Sequence, residues 1–171
     1  GTIMETSYIE LIVRLSLAFV LGGMIGLERE YRAKEAGFRT HFLVALGSAL
    51  FCVVSQFGFG IDLKDSSRVA AQVVSGIGFL GAGTIIFQKN VVRGLTTAAG
   101  LWVTAAIGLA CGTGMFMAAT IVTAMMLLGL EVINAMIPQL GTTTIEISFS
   151  ASSIEQVRVL IATMRHDGIE V

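Results

Sequence analysis

The sequence predicts an all-α polytopic membrane protein of about five transmembrane helices, followed by the beginning of a small α/β domain. Three observations carry that expectation. First, 54% of the 171 residues are hydrophobic and only 13% are charged, whereas soluble domains carry about 25% charged residues. Second, five apolar runs approach the roughly 20 residues a helix needs to cross a bilayer. They lie at about 8–27, 40–59, 69–88, 95–111 and 115–137. Third, the pattern changes after Pro138, the single proline, from long apolar runs to alternation. A net charge of −1 offers no basic footprint, so nucleic acid is excluded as a partner.

The first span has no basic region before it and runs directly into charged residues, so it does not read as a cleaved leader. Gly1 is no natural start, and the chain reads as a piece of a longer protein. Arg14 stands about 9 Å along this span, and Glu10 is one helical turn before it on the same face. Two readings fit: a pair reaching back to the outer surface, or a fixed charge facing the bundle interior. In the loop LEREYRAKEAGFRTH, Glu28 and Arg32 have i, i+4 spacing, so the first helix extends past the bilayer. Phe38, between Gly37 and Arg39, suggests re-entry at the interface, and Thr40 is a candidate cap for the second helix. The loop fits either a solvated connection or a docking surface.

The second span carries His41, and the third holds no charge. Gln72 in the third suits an interhelical hydrogen bond better than a ligand role. The fourth is short. Glu131, near the end of the fifth, is the single carboxylate within spans two to five. It fits an ion pair with a base such as Arg39 or Arg93, or a proton or cation ligand; Asn134 follows one turn on. Lys and Arg near the spans number six in the first and third loops against two in the second. The positive-inside rule then places the N-terminus outside and the C-terminus in the cytoplasm.

Within SGIGFLGAG, Gly76, Gly78 and Gly81 spell G-x-G-x-x-G. A dinucleotide site needs that pattern between a strand and a helix, with an acidic residue about 20 positions on. Here it lies inside an apolar run, and the next acidic residue is Glu131. Helix packing explains the glycines better, because small residues form the interfaces between helices in lipid. Ala71, Ser75, Gly78 and Ala82 share one stripe; Gly100, Thr104, Gly108 and Gly112 form another; Gly22 and Gly26 make a G-x-x-x-G. The third and fourth spans are thus expected to pack closely. The alternative is a third helix that unwinds over Gly76–Gly83 and offers carbonyls to an ion.

Catalytic patterns are missing. His41 and His166 lie far apart without a nearby cysteine, and there is no zinc spacing, H-E-x-x-H or Ser-His-Asp arrangement. Cys52 and Cys111 read as buried thiols rather than a disulfide. No enzyme activity and no cofactor are expected. Beyond the membrane domain, assigned to 1–140, residues 141–171 begin a βαβ unit: TTTIEISFS alternates, Ser152 or Ser153 caps a helix from Ile154, and IEV follows Gly168.

Three stretches in order, GLEREYRAKEAGFRTH, SRVAAQVVSGIGFLGAG and VRGLTTAAGLWVTAAIGLACG, strongly resemble the MgtC/SapB family of bacterial inner-membrane proteins. The resemblance covers about residues 8–137. It implies a multi-pass inner-membrane domain and, in several members, a cytoplasmic ACT-like domain, which 142–171 would begin. It also implies a link to growth at low magnesium, to virulence and to survival under host stress, by acting on other membrane proteins. The matching positions are Glu28, Arg29, Arg39, Thr40, His41, Gln72, Ser75, Arg93, Thr96, Thr97 and Trp102, with Arg14 in the first span. The leading expectation is a non-enzymatic regulator in contact with lipid, with a membrane-protein partner and with a second copy as a homodimer. The other is a transporter or channel with Glu131, Gln72 and Gly76–Gly83 along its path. Mg²⁺ wants octahedral oxygen ligands and sheds water reluctantly, so one intramembrane glutamate is thin provision.

Overall fold

The computed structural model describes residues 8–59, 65–88 and 91–136. The βαβ expectation for 141–171 and the side chain of Asn134 lie outside the described residues.

A proline-free apolar run forms α1, Tyr8–Tyr31, which continues one turn beyond the expected span. It ends where Ala33 turns left-handed at φ 50° and the Lys34 amide donates to the Arg29 carbonyl at 3.0 Å. Helix α2 spans Phe38–Phe57, with Gly37 at its N-cap. Thr40 does not cap it. The Phe38 amide donates instead to Glu30 Oε2 at 2.7 Å, so a carboxylate from the end of α1 takes a free amide of α2. Phe38 is also no simple interface marker. Its ring meets Phe19 and Phe42, and its backbone lies against Gly26.

Helix α3, Ser66–Gly83, starts earlier and ends earlier than the 69–88 expected. Asp65 caps it by accepting from the amide and hydroxyl of Ser67 at 3.2 and 2.6 Å. Its end follows from chemistry that hydropathy does not register. The Thr84 hydroxyl donates to the Gly81 carbonyl at 2.7 Å, and the β-favouring run that follows pairs as a hairpin. Strand β1 is Ile86–Gln88 and β2 is Val91–Arg93; they are antiparallel, with Phe87 opposite Val92. Gly94, left-handed at φ 88°, leads into α4, Leu95–Gly112, and α5 covers Phe116–Met136. Helices α1, α2 and α4 are each long and apolar enough to cross a membrane; α5 has the shorter apolar stretch Phe116–Val132.

Helices α1, α2 and α4 form the core, and α3 packs mainly on α4. Small side chains line the centre: Ala18, Leu21 and Ile25 from α1, Ala45 and Ala49 from α2, Ile107 and Cys111 from α4, with Ala119 from α5. A second cluster joins Ile77 of α3 to Leu101 and Ala105 of α4. Large apolar side chains such as Ile12, Phe51, Met117 and Leu128 are exposed on the outside. That inverts a soluble fold and suits a lipid surround.

Glycines set the closest approaches. A Cβ at Gly22 would fall 2.6 Å from Ala45 Cβ, and one at Gly26 2.6 Å from Phe38 Cα. Gly108 would clash with the Ala45 carbonyl at 2.3 Å and Gly112 with the Ala49 carbonyl at 2.7 Å. So the Gly100–Gly112 ladder packs on α2, not on α3 as expected. A Cβ at Gly100 would meet Met126 at 3.2 Å. On α3 only Gly81 makes a contact, to Ala98 at 3.5 Å; Gly76, Gly78 and Gly83 have nothing within 4 Å. Ala71, Ser75 and Ala82 are exposed beside them. Among the described residues the expected glycine interface on α3 is therefore met only at Gly81, because α3 turns Val73, Ile77 and Gly81 toward α4. The helix runs unbroken from Gly76 to its end at Gly83, without the unwound stretch that would offer a run of carbonyls to an ion, and the Gly81 and Ala82 carbonyls accept from Thr84 and Ile85.

Candidate functional site

Buried polar side chains gather at two levels of the core, at Arg14 and at Arg29, which stand about 22 Å apart along α1 by helical rise. At the first level Arg14 is 8% exposed. Its guanidinium forms an ion pair with Glu10 and donates to the Gly112 carbonyl of α4 at 2.7 Å and to Gln56 Oε1 of α2 at 3.1 Å. The Phe57 ring lies 5.4 Å from its centre. Arg14 is thus buried among three helices and at the same time paired with a half-exposed Glu10. Its planar fork of donors joins three helices, which a lone ammonium does less well. Gln56 and Phe57 escaped the sequence reading, since nothing local links them to a residue in another helix.

At the second level the end of α1, the loop and the start of α4 converge. Arg29 is 3% exposed and Thr97 1% exposed. Arg29 donates to the Thr97 hydroxyl at 3.4 Å, and that hydroxyl donates to Glu35 Oε2 at 2.6 Å. The Thr97 bond, the backbone and the charges of Lys34 and Arg29 hold the Glu35 carboxyl below its ordinary value. Glu28 lies 3.6 Å from Arg29 and 3.8 Å from Arg32, so it is paired by charge while neither carboxylate oxygen has a hydrogen-bond partner. His41 is fully buried. Its Nδ1–H donates to the Gly37 carbonyl at 2.9 Å, and its Nε2 has no hydrogen-bond partner.

Glu131 is half-exposed and pairs with Arg32 at 2.7 and 3.0 Å. The hydrogen bond and charge of Glu131 strengthen the hold of Arg32 on its proton. The ion-pair reading of Glu131 is thus realised, but with Arg32 rather than with Arg39 or Arg93. Arg39 and Thr40 instead line an open polar groove of about 490 Å³ with Glu30, Lys34 and Gly37. Arg93, Trp102, Gln72 and Ser75 are exposed and are not brought to either level, while the exposed Thr96 lines a groove of about 260 Å³ with Arg29 at the second. Gln72 borders a mostly apolar groove of about 560 Å³ between α2 and α3, with Phe51, Val73 and Gly76. Glu30 and Glu35 were missed by the sequence reading; only the carboxylate-rich loop itself hinted at them. Cys52 and Cys111 are buried free thiols. Among the described residues no group of His, Cys, Asp and Glu could hold a metal ion.

Comparison with known proteins bears directly on these positions. The MgtC family model matches residues 15–137, which contain all of the second polar level and Gln56, Phe57 and Gly112 of the first, but not Arg14 or Glu10. YhiD of Escherichia coli K12, whose name offers it as a candidate magnesium transporter, is 50% identical over 131 residues, covering 73% of this chain and 61% of YhiD. Protein MgtC of Brucella abortus is 54% identical over 111 residues, covering 64% of this chain and 45% of its own length. Protein MgtC of Salmonella typhimurium is 50% identical over 115 residues, covering 65% and 48%. The chain thus spans about half to three-fifths of these relatives. No solved structure matches it. With the match extending over most of the sequence and over its whole helical core, the chain belongs to the MgtC family.

Proposed function

We propose that this chain is the membrane domain of a non-enzymatic regulator, which acts on other membrane proteins in the inner membrane of a bacterium adapting to low magnesium or host stress. One observation carries the reading. The buried charges are paired at two levels, and most of the core between them is apolar, built from Ala18, Leu21, Ile25, Ala45, Ala49 and Ile107, with His41, Ser48 and Thr104 as the buried polar side chains among them. A hydrated ion would find few polar groups along that route among the described residues, and burial of an unpaired ion is costly. The loop groove of Glu30, Lys34, Arg39 and Thr40 supplies mixed charge for a partner's polar segment. All five helices are assigned to the membrane, with this loop in the cytoplasm. The exposed small-residue face of α3 is available to a partner helix or a second copy.

The name given to YhiD favours a second reading, transport of an ion or small solute. Its path would be the groove between α2 and α3, where Gln72 and Ser48 are the polar residues. Flux measurement separates the two. The full-length protein, oriented in liposomes, is expected to move neither Mg²⁺ nor protons, and Gln72→Leu, which removes a polar group of that groove, should leave that background unchanged. Flux that the substitution abolishes would establish transport and overturn the regulator. Photo-cross-linking from Arg39 in native membranes is expected to capture a membrane protein.

A further inference from the structure

We propose that the hairpin of residues 86–93 is a membrane-surface anchor. It lies in the headgroup layer of an anionic phospholipid bilayer, with Phe87 and Val92 toward the acyl chains and Arg93 on lipid phosphates. This goes beyond the regulator reading and depends only on α4 crossing the membrane.

Position is the first argument. Helix α4 is long and apolar enough to cross, and Gly94 alone separates it from β2. Gly94 is left-handed, and a Cβ there would lie 1.9 Å from the Thr84 carbonyl oxygen. The base of the hairpin is thereby clamped between the end of α3 and the start of α4. Strands of three residues reach about 10 Å at most, so the hairpin stays near the level where α4 enters the bilayer. The second argument is hydrogen bonding. Among the described residues β1 pairs only with β2, leaving an open edge on each strand. Open edges do not occur in hydrocarbon, because their amides and carbonyls need water or polar partners. The headgroup layer supplies both.

The third argument is the surface the hairpin presents. Phe87 is 78% exposed and stands opposite Val92, 43% exposed, on one face that the described residues leave largely open. Arg93 shares the other face with Ile86 and Val91, which are also exposed, so among the described side chains the hairpin is apolar on both sides apart from this guanidinium. The bulky Phe87 pair beneath and the single guanidinium above match the depth order of acyl chains and phosphates, with Ile86 and Val91 at the boundary. Lys89, in the sequence between the strands, adds a second positive charge. A water-facing hairpin would have no reason to pair Phe87 with Val92, and a protein partner would not require the basic flank.

The test uses the full-length protein in vesicles of phosphatidylcholine alone or mixed with phosphatidylglycerol. Trp102, the single tryptophan of this sequence, and any tryptophan in the remainder of the full-length protein are replaced by Phe, and Phe87→Trp becomes the reporter; Val92→Trp repeats the measurement at a second site. The expected result is strong quenching by lipids brominated near the top of the acyl chain. Quenching by aqueous iodide should be several-fold weaker than for a Lys34→Trp reporter on the loop. Adding Arg93→Glu should weaken the bromolipid quenching in phosphatidylglycerol vesicles and leave it unchanged in phosphatidylcholine. Iodide quenching equal to that of the loop reporter would overturn the proposal in favour of a hydrated hairpin. Protection from both quenchers would overturn it in favour of a covering protein or second copy. An Arg93→Glu effect equal in both lipids would overturn the phosphate contact.

Discussion

Thr97 shows how much one hydroxyl decides at the second polar level. It accepts from a buried guanidinium and donates to a loop carboxylate 62 positions away in sequence. The donated bond is the largest cause of the lowered Glu35 titration. A depressed carboxyl stabilises the fold above its ordinary value of 4.5 and loses that contribution as pH falls through the folded-state value. Thr97→Val keeps the shape and removes the bond. Carboxyl NMR should show Glu35 moving up toward 4.5. Thermal unfolding in detergent should show a loss of about 1 kcal/mol near pH 6, shrinking as pH falls through the folded-state value and the carboxylate is protonated. Arg14→Lys should cost about 2 kcal/mol by the same assay, since one ammonium replaces a fork of charge-assisted bonds. The pairing of Glu10 with Arg14 was legible in the sequence because i, i+4 geometry is local. Its bonds to Gln56 and Gly112 were not, nor was Thr97 with Glu35, because those partners are brought together only by packing.

At the level of helices, identical glycines play opposite parts. Gly108 lies against the Ala45 carbonyl of α2, while Gly78 has open space beside it. Gly108→Leu should therefore force α2 and α4 apart and lower stability by about 1–3 kcal/mol or more. Gly78→Leu should leave it within about 0.5 kcal/mol. Melting curves of the two variants in detergent check the pair; an equally damaging Gly78→Leu would mean that another protein occupies the open side of α3. Spacing identified each small-residue stripe, yet a stripe does not name its neighbour. The expected α3–α4 glycine seam is an α2–α4 seam because Ala45 and Ala49 present bare backbone carbonyls to Gly108 and Gly112. Likewise the end of α3 was invisible to hydropathy, since Thr84, Ile85, Ile86 and Phe87 are as compatible with an apolar helix as with a strand. Only the Thr84 bonds and the pairing with Val91 and Val92 distinguish the two.

Across the whole molecule the core joins helices that are not consecutive: α4 packs into the α1–α2 pair, while α3 stands to one side. The apolar runs located the helices, of which α1, α2 and α4 are long and apolar enough to cross a membrane, since span length is set by the bilayer and not by partners. Their arrangement depends on which faces meet, and that is not written in hydropathy. A chain ending at residue 94 keeps three of the helices but loses Leu101, Ala105, Ile107 and Cys111 from the core. In membranes it should be digested by protease far faster than a chain ending at residue 136. The same order of assembly governs biosynthesis. As the ribosome delivers the chain at roughly 5–20 residues per second, α1 and α2 close on each other through Gly22 and Gly26 first. The inner face of α2 then waits some seconds, while α3 and the hairpin emerge, for the helix that will fill it. During that interval Ala45, Ser48, Ala49 and Cys52 form an unoccupied seam beside the insertion machinery, and the nascent chain is most dependent on cellular helpers before α4 arrives.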